Sequence, residues 1–275
     1  EKEFLPNFTY LTPTSLQTVK LQGWIDSYAE LESPPAPQTL KGYYQAAQDY
    51  LSWLDRKGYL SLPNAFGNVK LPSAKRLKQS IDVIHLEDDE IQKILDSTTN
   101  QELKDIILIA AYSGCRIEEI VQLEAHNILK IDNRLVLEIT DAKSKAGNRQ
   151  IPVHRDIESI IERYTLEGYL FSGSENKHGT RSDKHSKAFG RVKSKLGFGR
   201  DKVFHSLRKS FITKLDRLGA ARYRIQSIVG HEQGDLVGDV YSGGITIGEK
   251  ARIIDLVKYD IVIRSLGWES SYEKV

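Results

Sequence analysis

Residues 204–215, FHSLRKSFITKL, read as a helix that carries His205 and Arg208 three positions apart. Side chains at that spacing share a helix face. An imidazole that titrates near neutrality therefore points the same way as a planar, permanently charged donor fork. Alone the pair is commonplace. It gains weight from what lies on either side. Downstream, residues 230–244, GHEQGDLVGDVYSGG, place His231 directly after a glycine and Tyr241 ten residues further on. Upstream, residues 113–119, SGCRIEE, place Arg116 where one helix ends and another begins.

Each piece admits two readings. Arg116 either pairs with Glu119 or grips an anion, and both can hold if the carboxylate fixes the guanidinium's direction. His231, after the apolar run IQSIV, is either a core histidine satisfied by a carbonyl or a donor to a phosphate oxygen. Lys143 and Lys145 lie on the polar tip DAKSKAGN, between the β-rich segments NRLVLEIT and RQIPVH, which together read as an antiparallel hairpin. Tips of this kind are ordinary surface, or they reach into a groove and deliver a proton. Tyr241 is one of thirteen tyrosines. Ionising a phenol at pH 7 costs about 4 kcal/mol, so a nucleophilic tyrosine needs a base or cationic surroundings.

Taken in order, SGCRIEE, AKSKAGNRQIPV, HSLRKS and VGHEQGDLVGDVYSGG resemble the catalytic set of the tyrosine recombinase (phage integrase) family. The resemblance runs from about Ile81 to Asp260. It implies that Arg116 and Arg208 clamp the scissile phosphate and that Tyr241 is the nucleophile. It also implies that His205 and His231 are the two active-site histidines, and that Lys143 is the general acid, with Lys145 the alternative if the register slips. Glu119 is the expected partner of Arg116. Lys209 stands where the family often has a histidine, at a position outside the core set. The implied fold is mainly α with a small antiparallel sheet (α+β). Residues 1–69 would form a helical core DNA-binding domain, 70–80 a basic linker and 81–275 the catalytic domain. The implied activity is site-specific DNA cleavage and rejoining through a 3′-phosphotyrosyl bond, without cofactor, metal or ATP. The implied partners are double-stranded DNA, three further copies in a tetramer, and accessory DNA-bending or excision-directing proteins. Insertion or excision of a phage or mobile element is the expected task. A type IB topoisomerase and a DNA-binding regulator without catalysis are the alternatives.

Local patterning supports that division. PTSLQTVKLQGWIDSYAEL and TLKGYYQAAQDYLSWLDRKG have helical period, the second closed by Gly58. HLEDDEIQKILDS reads as an acid-capped helix and QELKDIILIAAYSG as a buried one. RIEEIVQLEAHNI and EKARIIDLVKYDIVI read as further helices, the last docking either on its own domain or on a neighbour.

Bulk properties set the limits. A 275-residue chain makes one large or two ordinary domains. No apolar run approaches the roughly 18 residues of a membrane span. One cysteine, Cys115, rules out an internal disulfide and suits a reducing cytoplasm. The sequence starts at Glu1 and has no methionine, so a processed or truncated chain is expected, with a DNA-binding domain before Glu1 left open. The net charge of +2 conceals a segment, Ser172 to Lys209, with eleven Lys/Arg against three acids. Its Lys184, Lys187, Arg191 and Lys193, and the linker's Lys70, Lys75, Arg76 and Lys78, are expected to meet DNA phosphates.

Overall fold

The computed structural model describes residues 18–32, 34–59, 69–72, 81–140, 148–164, 167–230 and 244–263. The chain divides into two units, Glu1–Asp82 and Val83–Val275.

Among the described residues, the first unit holds two helices, α1 (Thr18–Ser27) and α2 (Pro37–Arg56). Pro37 opens α2, where its missing N–H costs nothing. Gly58, just beyond the last turn, adopts φ +73°. Leu40, Ala47, Leu51 and Leu54 form the buried stripe of α2, facing Leu21, Trp24 and Ile25 of α1. Val69 joins that core, and Gln22 exchanges two hydrogen bonds with the backbone of Lys70, which ties the segment after α2 back to α1.

The second unit is helical around a three-stranded antiparallel sheet. Its first helix, α3 (Asp88–Ser97), begins as its acidic sequence predicts, with Glu90 reaching back to the Glu87 N–H at 2.9 Å. Asn100 caps α4 (Gln101–Ser113) by accepting from Leu103 N–H. From Ile106 to Ser113 every residue of α4 is buried, so this helix is the core about which the unit is built. Gly114 ends it at φ +67°. A Cβ there would sit 2.6 Å from Phe211 Cδ1, so the turn is open only to glycine.

Where one long helix was expected over RIEEIVQLEAHNI, α5 spans only Ile117–Val121 and a 3₁₀ turn follows at Ala125–Asn127. Leu123 and Ala125 spend backbone bonds on Leu170 and Gly168 instead of continuing the helix. The sheet then runs β1 (Ile128–Ile131), β2 (Arg134–Ile139) and β3 (Arg149–Pro152), in that order. The expected hairpin is β2–β3, with Ile139 opposite Arg149 as the last pair before the tip.

Beyond the sheet come α6 (Glu158–Glu162), α7 (Asp183–Lys195), α8 (His205–Arg217) and α9 (Arg222–Val229). Leu207, Phe211 and Leu215 form the apolar stripe that packs α8 on α4. The last helix, α10 (Ile247–Ile254), is capped by Thr246 and Glu249 and packs on β3. It is shorter than EKARIIDLVKYDIVI suggests. Asp255 is drawn to Arg134 at 2.5 Å and the chain continues extended. Val257 and Tyr259 enter the unit's own core, and Tyr259 Oη donates to Ala111 O at 2.8 Å. As far as Ile263, therefore, the segment docks on its own unit.

Candidate active site

Arg208 is 1 % exposed, an unusual place for a guanidinium. Its Nη1 donates to Gly114 O and its Nη2 to Val229 O, both at 2.6 Å. These carbonyls end α4 and α9, so the cation sits where two helices present negative dipole ends. Two of its five N–H donors are thereby spent, and the buried Nε has no partner among the described residues. Burial first, and then the nearby Arg116, lower its pKa to about 10. The charge is thus held against its surroundings by those two carbonyls, and an anion in the site would favour it further.

Arg116 follows Gly114-Cys115, and its side chain is 43 % exposed. Its Nη1 donates to Glu119 Oε1 at 2.6 Å, and its backbone N–H to Oε2 at 2.8 Å. With five residues, α5 is too short to contribute much dipole at this point, so the side chains make the site. Glu119 is itself 7 % exposed at its side chain. Burial alone would raise its pKa, but hydrogen bonds and charge from Arg149 and Arg116 hold it below the usual carboxylate range.

Arg149 escaped the sequence reading. It is buried, its Nη2 donates to Glu119 Oε2 at 2.9 Å and its Nε to Ile228 O at 2.8 Å. The available signal was the apolar run that follows it: Ile151, Pro152 and Val153 are buried with Arg149, and a charge in such a run demands a partner.

His205 is solvent-exposed at the start of α8. Its pKa lies below the ordinary value, through desolvation and then through Arg208, Arg116 and Lys209. The neutral, proton-accepting form is thus favoured. Lys209 is held by Val83 O at 2.5 Å. Cys115 is buried, with its thiol pushed up by that burial, and plays no nucleophilic part.

Arg116, Glu119, His205 and Arg208 thus form one cluster. His231, Tyr241, Lys143 and Lys145 lie outside the described residues, as do Lys75, Arg76 and Lys78. Lys70 is exposed. On α7, Lys187 and Arg191 are exposed, and Lys187 is loosely paired with Asp183 at 3.8 Å. Lys184 is engaged with Ser172 and Glu102. Lys193 is tied to Gly199 O at 2.5 Å. Arg181, counted in the basic segment, is buried and stacked on Tyr169 at 3.5 Å. Among the described residues no His/Cys/Asp/Glu group could hold a metal, and no helix is long and apolar enough to cross a membrane.

Comparison with known proteins bears on the family and the fold. The family model described as "Phage integrase family" matches residues 85–243. No curated protein matches the sequence. The chain is similar in structure to the integrase from mycobacterium phage Brujita, with TM-score 0.53 and 19 % identity over 91 % of this chain and 81 % of that one. It is also similar to the lambda integrase (75–356) dimer bound to a COC′ core site, with TM-score 0.62 and 15 % identity over 86 % and 88 %. A third likeness is to a lambda integrase tetramer bound to a Holliday junction, with TM-score 0.59 and 16 % identity over 79 % and 65 %. At these identities the likenesses concern the fold.

Proposed function

The chain belongs to the phage integrase family, the site-specific tyrosine recombinases, and we propose that it cleaves and rejoins double-stranded DNA through a 3′-phosphotyrosyl bond on Tyr241. The observation that carries this reading is the under-satisfied guanidinium of Arg208. It is buried, short of acceptors among the described residues, and set near a second arginine that Glu119 aims. A phosphodiester fits such a place, because its two non-bridging oxygens can accept from both guanidinium groups and gain negative charge in the transition state.

The chemistry follows from residue types. Nucleophile and phosphodiester are both electron-rich, so attack requires the non-bridging oxygens to be neutralised. Arg116, Arg208 and His231 supply that charge where it develops. Tyr241 Oη bonds to phosphorus as its proton passes to His205, whose lowered pKa keeps it ready to accept. The bond from phosphorus to the 5′-oxygen breaks, and Lys143 protonates the leaving oxygen. The ester keeps the bond energy, so a 5′-hydroxyl from another strand reverses the step without ATP. Exchange in pairs calls for four copies on two DNA sites. Lys187, Arg191 and the Lys70–Lys78 segment would hold the duplex backbone. Insertion or excision of a phage or mobile element is the task we assign.

The test uses nicked duplexes carrying the sequences that flank the element encoding the chain, resolved on a denaturing gel. A covalent protein–DNA band is expected, lost in Tyr241→Phe while binding persists. Binding without any such band would leave a regulator. Relaxation of any supercoiled plasmid, with no site requirement, would make the protein a topoisomerase.

A further inference from the structure

We propose that Arg149 is a positioning residue for strand cleavage: sealed in the core, it sets the aim of Arg116 through Glu119. The proposal rests on the recombinase reading above and adds a residue that never meets DNA.

One carboxylate serves two arginines. Arg149 Nη1 and Nη2 donate to Glu119 Oε1 and Oε2 at 3.2 and 2.9 Å. Arg116 reaches the same two oxygens, by its Nη1 and its backbone N–H, at 2.6 and 2.8 Å. Arg149 has a side chain 3 % exposed, and Arg116 one 43 % exposed. The order from core to surface is therefore Arg149, Glu119, Arg116. With the carboxylate gripped at both oxygens from the buried side, it cannot rotate, and the exposed guanidinium has one place to rest.

Arg149 also touches the segment that leads to His231. Its Nε donates to Ile228 O at 2.8 Å. Gly230 lies against it at φ +72°, where a Cβ would stand 2.8 Å from Nη1 and 3.0 Å from Cδ and Cζ. The end of α9 can lie flat on the guanidinium only because residue 230 has no side chain. At its other end Arg149 is the foot of the hairpin, paired with Ile139.

The bland alternative is an ion pair that fastens β3 to α5. Buried ion pairs seldom stabilise a fold more than apolar residues of the same shape would, because desolvation cancels the attraction. Retaining one makes sense if its geometry matters. Lysine cannot replace it, since a single ammonium has no fork for both carboxylate oxygens.

The two roles separate by experiment on the full chain. We compare wild type, R149K, E119Q, R116A and the R116A/R149K double variant on the nicked flanking-site duplex. Each is also tested on the same duplex with an uncharged methylphosphonate at the scissile position. R149K is expected to fold, to bind the duplex within about 3-fold of wild type, and to form the covalent complex about 10²-fold more slowly. In the R116A background the same change should cost less than about 3-fold, because the group it aims is gone. On the methylphosphonate the R149K deficit should shrink to within about 10-fold, since there is less charge to neutralise. Unchanged cleavage by folded R149K overturns the proposal, as do losses that are additive with R116A and equal on both substrates. If R149K does not fold, E119Q decides from the other side of the pair: a wild-type rate there also overturns it. If wild type itself forms no covalent complex, the recombinase reading falls and takes this inference with it.

Discussion

At the scale of single residues, the two arginines proposed to clamp the phosphate are set for different duties. Arg208 lies in the core and holds two helix ends, whereas Arg116 is half in solvent and, among the described residues, is held by Glu119. Arg116→Ala should therefore lose about 10³-fold in cleavage with little change in melting temperature. Arg208→Ala should lose as much rate and also about 2–4 kcal/mol of stability, because two buried carbonyls are left without donors. Covalent-complex kinetics and thermal melts on the same preparations check both. His205 gives a second expectation. In the DNA-free protein its imidazole should titrate below the ordinary value, and phosphate-bearing duplex should move it upward; ring-proton NMR reads both shifts. Arg116, Glu119, His205 and Arg208, which the structure gathers into one cluster, were singled out from residue type and order. Arg149 was not, because nothing about an arginine beside a polar tip says that it turns inward until strand register is known.

At the scale of elements, Gly114 joins the fold to the chemistry. Its left-handed turn stops α4, and its carbonyl then faces Arg208. Gly114→Ala combines a disfavoured φ with a 2.6 Å clash on Phe211, so a loss of about 2–3 kcal/mol is expected in urea unfolding, with slower cleavage from the displaced carbonyl. Capped helices such as α3 and α4 were readable because their signals are local: acids at the start of α3, and a glycine just past the end of α4. The hairpin β2–β3 was readable from alternation around a polar tip. β1 was missed although its turn is well marked, with Asp132 and Asn133 at φ +49° and +59°, the pair of left-handed residues that a tight hairpin uses. α5 and α10 were overextended for a common reason. Their ends are set by distant partners, the backbone of Gly168 and Leu170 in one case and Arg134 in the other. No local pattern encodes those.

At the scale of the whole molecule, the basic surface and the buried histidine govern how solution conditions act. Lys187→Ala or Arg191→Ala on α7 should weaken DNA binding without regard to sequence, and each should lower the slope of log affinity against log salt by about one. His154 is 1 % exposed, its ring tilted against that of Tyr112, with its pKa lowered chiefly by burial. Above pH 6.5 neither folded nor unfolded chain protonates it. As the pH falls below 6.5, the unfolded chain takes up a proton that the native state refuses, so stability drops by about 1 kcal/mol per pH unit until the folded pKa is reached. Urea midpoints on either side of that value should show the drop, and His154→Gln should flatten it.

The crowding of Arg116, Arg149 and Arg208 around the lone carboxylate of Glu119 has a practical side for anyone handling this protein. Like charges held so close make the native state responsive to the dissolved counterion. Melting should come several degrees later in sulfate or inorganic phosphate than in chloride at matched ionic strength, and Arg116→Ala should narrow that gap. Stocks dialysed free of multivalent anions would be the least durable on the shelf.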